Sequence, residues 1–277
     1  MPEIGLSDIA FHLHPDILAV AIGLPFAYWY GIRRLGPLYA PQGEPAVTRR
    51  QIAWFTFGMV AFTVVESWPV HDVAEQSLFT VHMIEHLVLT LVVPPAILKG
   101  IPWWLLRLLL RPVMPVVRFL TKPLIALVAF NGMLAFTHSP RTIELMLESN
   151  WAHFGLHALL IFSAFLMWWP VIGPIPDTPK LSPPAAMGYL FLQSLVPTVP
   201  ASFLTFASGV VYPVYETLPR LWGIGVMTDQ LVAGLLMKIG GGLLLWGVIT
   251  WIFFSWALEE DRAAEQRRRA RVVRLDA

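Results

Sequence analysis

The sequence contains no cysteine. That excludes disulfides, zinc ribbons, thiolate nucleophiles and capture of a metal by thiolate. Any metal site must therefore be built from His, Met, carboxylate or backbone oxygen. Charge is scarce as well: 13% of the 277 residues are Asp, Glu, Lys or Arg, against ~25% in soluble domains. There is too little polar surface to cover a water-exposed globule, and no nucleic-acid partner is expected. No Lys or Arg precedes Arg33, so the basic start of a cleavable signal peptide is missing and none is expected. Strand-like alternation is missing too, which argues against a transmembrane barrel.

Long apolar runs are what the chain has in quantity; 56% of it is hydrophobic and the mean hydropathy is +0.64. Seven segments stand out: Ile17–Ile32, Ile52–Val70, Leu78–Leu98, Pro123–Thr137, Phe154–Ile172, Ala185–Ala207 and Leu231–Leu258. Most approach the ~20 residues that carry a helix across ~30 Å of hydrocarbon. The expected fold is all-α, a polytopic membrane bundle of about seven transmembrane helices spanning residues 1–258. Gly36, Pro37, Pro41 and Gly43 mark the first loop, and Gly173, Pro174, Pro176, Pro183 and Pro184 the fifth. Pro94, Pro95, Pro197 and Pro200 fall inside spans and should kink them.

Charge sets the expected orientation. Alternate loops and the tail hold sixteen Lys and Arg, from Arg33, Arg34, Arg49 and Arg50 to the tail arginines; the opposite loops hold only Arg141 and Arg220. The positive-inside rule then places the N-terminus outside and the C-terminus in the cytoplasm. Residues 101–120, with Trp103, Trp104 and spaced arginines, read as an amphipathic stretch in the cytoplasmic interface. Residues 259–277 read as a basic cytoplasmic tail able to meet membrane lipid.

On this topology all eight histidines lie on the outer side or in the outer leaflet. His82 and His86 are i, i+4, and so are His153 and His157; each pair shares a helix face, as a single metal ion requires. His138 ends the fourth span near the same level. His82 and His86 sit roughly 6–12 Å inside their span at ~1.5 Å per residue, a depth at which polar groups are functional. His12, His14 and His71 are expected merely to meet water and loop carbonyls at the headgroups.

Glu85 completes a His82-Met83-Ile84-Glu85-His86 string. It could orient an imidazole, pair with Lys238 inside the membrane, or serve as the base of a zinc hydrolase of the H-x-x-E-H type. Met83, Met133, Met146, Met227 and Met237 are soft candidate ligands for Cu(I), or packing residues.

The string His82–His86 running to Pro94-Pro95 and Lys99-Gly100-Ile101-Pro102 resembles the signature of the CtaG-type assembly factors of cytochrome c oxidase, seven-span bacterial membrane proteins. The likeness continues through Phe130-Asn131, His138-Ser139-Pro140, His153, His157 and Trp168-Trp169-Pro170 to Asp229-Gln230, Gly234 and Met237. It covers roughly residues 15–258. Thr137 stands where an aromatic is expected, and Lys238 where an apolar residue is.

The resemblance implies a multi-pass protein of the bacterial cytoplasmic membrane that supplies copper to the oxidase at its outer face. His82, His86, His138, His153 and His157 would be the ligands, with Met83, Glu85, Met237 and Asp229 as further ligands or supports. Oxidase subunits and a periplasmic copper chaperone are the expected partners. Two other readings use the same histidines: an intramembrane zinc hydrolase with Glu85 as base, and a bis-His haem protein.

Overall fold

The computed structural model describes residues 3–275, which fold as helices with almost no strand. The helices are α1 (Pro15–Tyr39), α2 (Arg49–Val65), α3 (Val70–Gln76), α4 (Phe79–Gly100), α5 (Trp103–Leu120), α6 (Pro123–Thr137), α7 (Pro140–Glu148), α8 (Asn150–Ile172), α9 (Pro183–Phe206) and α10 (Val226–Arg269). The last continues as helix to Leu275.

Local chemistry sets the boundaries. Thr48 and Gln51 form a reciprocal capping box that starts α2, while Ser139 and Ser149 cap α7 and α8. Gly173 ends α8 in the left-handed region, with φ +57°, where a β-carbon would be strained.

All seven apolar segments fall mainly on helices, the second being helical to Val65 and turning at residues 66–69. Five helices (α1, α4, α8, α9 and α10) are long and apolar enough to cross a bilayer, and α5 with α6, bent by 85°, would make a sixth. With 17 residues, α2 falls about a turn short of the ~20 usually needed. The protein is a polytopic membrane helix bundle.

Two close crossings tighten it. A β-carbon on Gly100 would lie 2.5 Å from the Phe55 amide nitrogen, and one on Gly234 would lie 2.8 Å from Thr205 Oγ1. Small residues thus bring α4 against α2, and α10 against α9, where lipid supplies no hydrophobic force to do so. Many apolar side chains of α1, including Leu24, Phe26 and Trp29, are exposed, as lipid-facing side chains are. Tyr28 anchors that helix by stacking on Phe55 at 3.9 Å and donating to the Gly100 carbonyl.

The helical hydrogen-bond pattern changes beside two of the prolines inside spans. A π turn at Val88–Val92 precedes Pro94 in α4. Proline has no N–H to give the carbonyl four residues back, which here is Thr90. Trp168 Nε1 on α8 donates to that carbonyl instead, at 2.9 Å. α9 breaks between Leu195 and Thr198, around Pro197.

At one end of the bundle the N-terminal segment folds back over α3. Glu3–Ile4 pairs in parallel with Arg220–Leu221, and Ile9 packs with Val73, Leu78 and Leu221. Gln76 Nε2 donates to the Ala10 carbonyl, and the His12 amide donates to Asp72. These contacts carry His12 and His14 onto α3.

At the other end, α5 lays Trp104, Leu105 and Leu106 inward and leaves Arg107, Arg111 and Arg118 exposed. Trp104 Nε1 donates to the Ala46 carbonyl, and Arg107 pairs with Asp177 at 2.6 Å.

Candidate metal centre

Four imidazoles from two helices converge. The i, i+4 spacing puts His82 and His86 on one face of α4 and His153 and His157 on one face of α8, and the two faces meet. His157 Nε2 lies 3.0 Å from His86 Nε2 and 3.0 Å from His153 Nε2. The ring centroids of His82 and His86 are 4.2 Å apart, and one nitrogen from each of His82, His86 and His157 falls within a 4.8 Å group. All four side chains are buried.

A single proton on His157 Nε2 cannot satisfy two facing nitrogens. A cation can. Two imidazoles bound tetrahedrally at ~2.0–2.1 Å hold their nitrogens ~3.3 Å apart, close to the spacing seen here. His86 Nδ1 is buried without a hydrogen-bond partner, leaving the ring free to present either nitrogen.

Carboxylates back the rings. Glu75 Oε1 is 2.6 Å from His153 Nδ1, and Glu66 Oε1 is 3.9 Å from His157 Nδ1. A carboxylate behind an imidazole fixes its tautomer and makes the other nitrogen a better ligand. Among the described residues, Glu66, Asp72, Glu75 and Glu85 have only histidines within ion-pair distance. Four carboxylates without a Lys or Arg partner make this end of the bundle favourable for a cation.

His138 stands beside the group, its ring 5.6 Å from that of His86. Its Nδ1 faces the Leu134 carbonyl at 2.8 Å, and Tyr212 donates to its backbone carbonyl. Glu85, fully buried, contacts His71 Nδ1 at 2.7 Å, and its second oxygen has no partner. It therefore orients an imidazole outside the two pairs.

The expected Lys238–Glu85 pairing does not form. Lys238 reaches toward Ser202 at 3.5 Å and lies over the Phe206 ring instead. Asp229 does not join the cluster either. It accepts the Phe79 and Thr80 amides at the start of α4 and pairs with Arg220 at 2.7 Å. Met83, Met146 and Met237 are buried in the main apolar core with Phe79, Phe130 and Leu134, and Met227 is exposed.

The sequence reading missed the reach of the cluster. His12, His14 and His71 are not isolated loop residues. His12 Nδ1 contacts Asp72 at 3.0 Å, and the His14 ring lies 4.7 Å from that of His71. His71 Nε2 is 3.4 Å from Glu75. The i, i+4 spacing of His71 and Glu75 on α3 was the available signal.

Burial pushes the His71 imidazole down in pKa, but the hydrogen bond and charge of Glu85, with Glu66 and Glu75 behind it, outweigh that and hold it up at about 9. Burial pushes Glu75 up, yet its hydrogen bond and attraction to His153, then His71 and His14, hold it down at about 2.

The chain is 24% identical over 275 residues to the uncharacterized protein ML1998 of Mycobacterium leprae, covering 89% of this chain and 39% of that one. It is 25% identical over 285 residues to the uncharacterized proteins Mb0105 of Mycobacterium bovis and MT0111 of Mycobacterium tuberculosis, covering 91% of this chain and 39% of each. The chain thus spans well under half the length of these relatives. No solved structure matches it. The family model described as cytochrome c oxidase caa3 assembly factor (Caa3_CtaG) matches residues 26–259, a stretch that contains both histidine pairs, and the chain belongs to that family.

Proposed function

We propose that this assembly factor binds copper through His82, His86, His153 and His157 and hands it to cytochrome c oxidase, without catalysing a reaction. The buried grouping of one nitrogen each from His82, His86 and His157 within 4.8 Å of one another, with His153 Nε2 3.0 Å from His157 Nε2, carries the reading. An all-imidazole set with carboxylates behind it suits a late first-row ion. Lacking thiolate, it holds copper loosely enough for ligand exchange with a partner. The histidine-bearing end faces outward, because the Lys- and Arg-rich loops gather at the opposite end and belong in the cytoplasm. The membrane is then the bacterial cytoplasmic membrane, and the partners are oxidase subunits and a periplasmic copper chaperone.

The 3.0 Å separation of His86 and His157 Nε2 favours a bare ion over haem, because a porphyrin plane has no room between them. Glu85, the proposed base of a zinc hydrolase, is engaged by His71, which favours carriage over hydrolysis.

Elemental analysis of purified protein tests this. Copper that resists a brief EDTA wash should be present in the wild type and lost from His86→Ala and from His157→Ala. The double variant should lose little beyond the worse single one, because ligands of one ion act as a unit. Zinc in place of copper, or no metal at all, would overturn the reading.

A further inference from the structure

We infer that His14, His71 and Glu75 form a second cation site, set between the surface and the buried histidines, through which the ion reaches them. The inference rests on the copper-binding reading above and extends it to residues that the reading does not use.

One donor atom from each of the three lies within a 4.8 Å group. They come from separate parts of the chain: His14 from the segment that folds over α3, and His71 and Glu75 from one face of α3. His14 Nε2 is buried and makes no hydrogen bond among the described residues. The same is true of Asp72 Oδ2 next to it, whose other oxygen is 3.8 Å from that His14 nitrogen. Two unpartnered polar atoms buried at one spot are costly unless something binds there. Two imidazoles and a carboxylate suit a divalent first-row ion such as Cu(II) or Zn(II).

The site is placed to pass its ion on. Glu75 Oε1 is 3.4 Å from His71 Nε2 and 2.6 Å from His153 Nδ1, so one oxygen touches both groups of histidines. The His71 and His153 rings are 5.7 Å apart, and His153 Nε2 meets His157 Nε2 at 3.0 Å. On the solvent side, His12 is exposed and its ring lies 6.4 Å from that of His14. No step between neighbouring ring centroids in this series exceeds 6.4 Å, so an ion can be transferred by successive ligand exchange with no change in its charge.

The test uses the full-length protein in detergent, titrated with Cu(II). Bound copper is counted after desalting, and the rate at which copper becomes resistant to a brief EDTA challenge reports loading of the buried histidines. The wild type should bind two equivalents. His14→Ala should bind one and load the buried histidines at least tenfold more slowly, with the same final chelator-resistant amount. His12→Ala should still bind two, and His157→Ala should keep one that EDTA removes. Two equivalents in His14→Ala at an unchanged loading rate would overturn the second site and leave the buried one standing. One equivalent at an unchanged rate would overturn its role as the route inward. A wild type that binds no Cu(II) would overturn both this inference and the function it rests on.

Discussion

The two ends of the bundle solve the problem of charge in opposite ways. At the arginine-bearing end, Arg33, Arg34, Arg49, Arg50, Lys99, Arg107, Arg111 and Arg118 are all exposed. Their charges stay at the surface, where the Lys99 ammonium lies 5.0 Å from the centroid of the Trp54 ring. At the histidine-bearing end, Asp72 and Glu85 have no exposed surface, and His71, His82, His86, His138, His153 and His157 are buried. Under the positive-inside rule, charge at the first end would orient the protein. At the second it is held inside against desolvation, which in a membrane marks a functional site.

The comparison breaks outright if the two ends do not lie on opposite sides of the membrane. Reporter fusions at Gly43 and Gly173 should report cytoplasm, and fusions at Glu148 and Glu216 the outside. A cytoplasmic signal at Glu148 would leave the histidines with no common side and remove the outward-facing site.

The next largest effect is expected at Asp229, beside the cluster but not in it. Asp229→Ala would leave Arg220 buried and unpaired and two amides of α4 without acceptors. Breaking a buried pair costs ~3–5 kcal/mol, so the thermal midpoint of the purified protein should fall sharply. Copper content per folded molecule should hold; loss of copper at unchanged stability would make Asp229 a ligand support after all.

Gly100→Ala tests what is expensive at the arginine end. The added methyl would collide with the Phe55 backbone, and overpacking of this kind costs ~1–3 kcal/mol. Arg107→Ala should do least. Its pair with Asp177 is half exposed, and such pairs are worth ~0.2–1 kcal/mol. A larger loss from Arg107→Ala than from Gly100→Ala, measured by thermal midpoint, would show that charge rather than close backbone packing holds this end together.

Much of the buried centre was legible in the sequence, because i, i+4 spacing is a local property of a helix. His82 with His86, and His153 with His157, had to share faces wherever α4 and α8 went. The carboxylates were harder to see. Glu66 and Glu75 become neighbours of His157 and His153 only because α2 and α3 end beside α8, contacts between residues 91 and 78 positions apart. Lys238 misled for the same reason: depth in the membrane can be read from sequence, but the direction of the side chain cannot. Pairing it with Glu85 ignored Ser202 and Phe206, which α9 brings within its reach.

The sequence by itself determined that the chain is a membrane helix bundle, roughly where its long apolar helices fall, and which pairs of histidines share a face. Hydropathy, helical period and the sparse distribution of Lys and Arg are sums over local residues, and they need no knowledge of neighbours. Only the tertiary structure decided that the two pairs meet on one another, that Asp229 caps α4, and that the N-terminal segment carries His14 onto α3 beside His71 and Glu75. Those outcomes depend on which helix faces which. In a bilayer that is set by close approach at glycines and by the need to partner each buried polar group, interactions that join residues far apart in the chain.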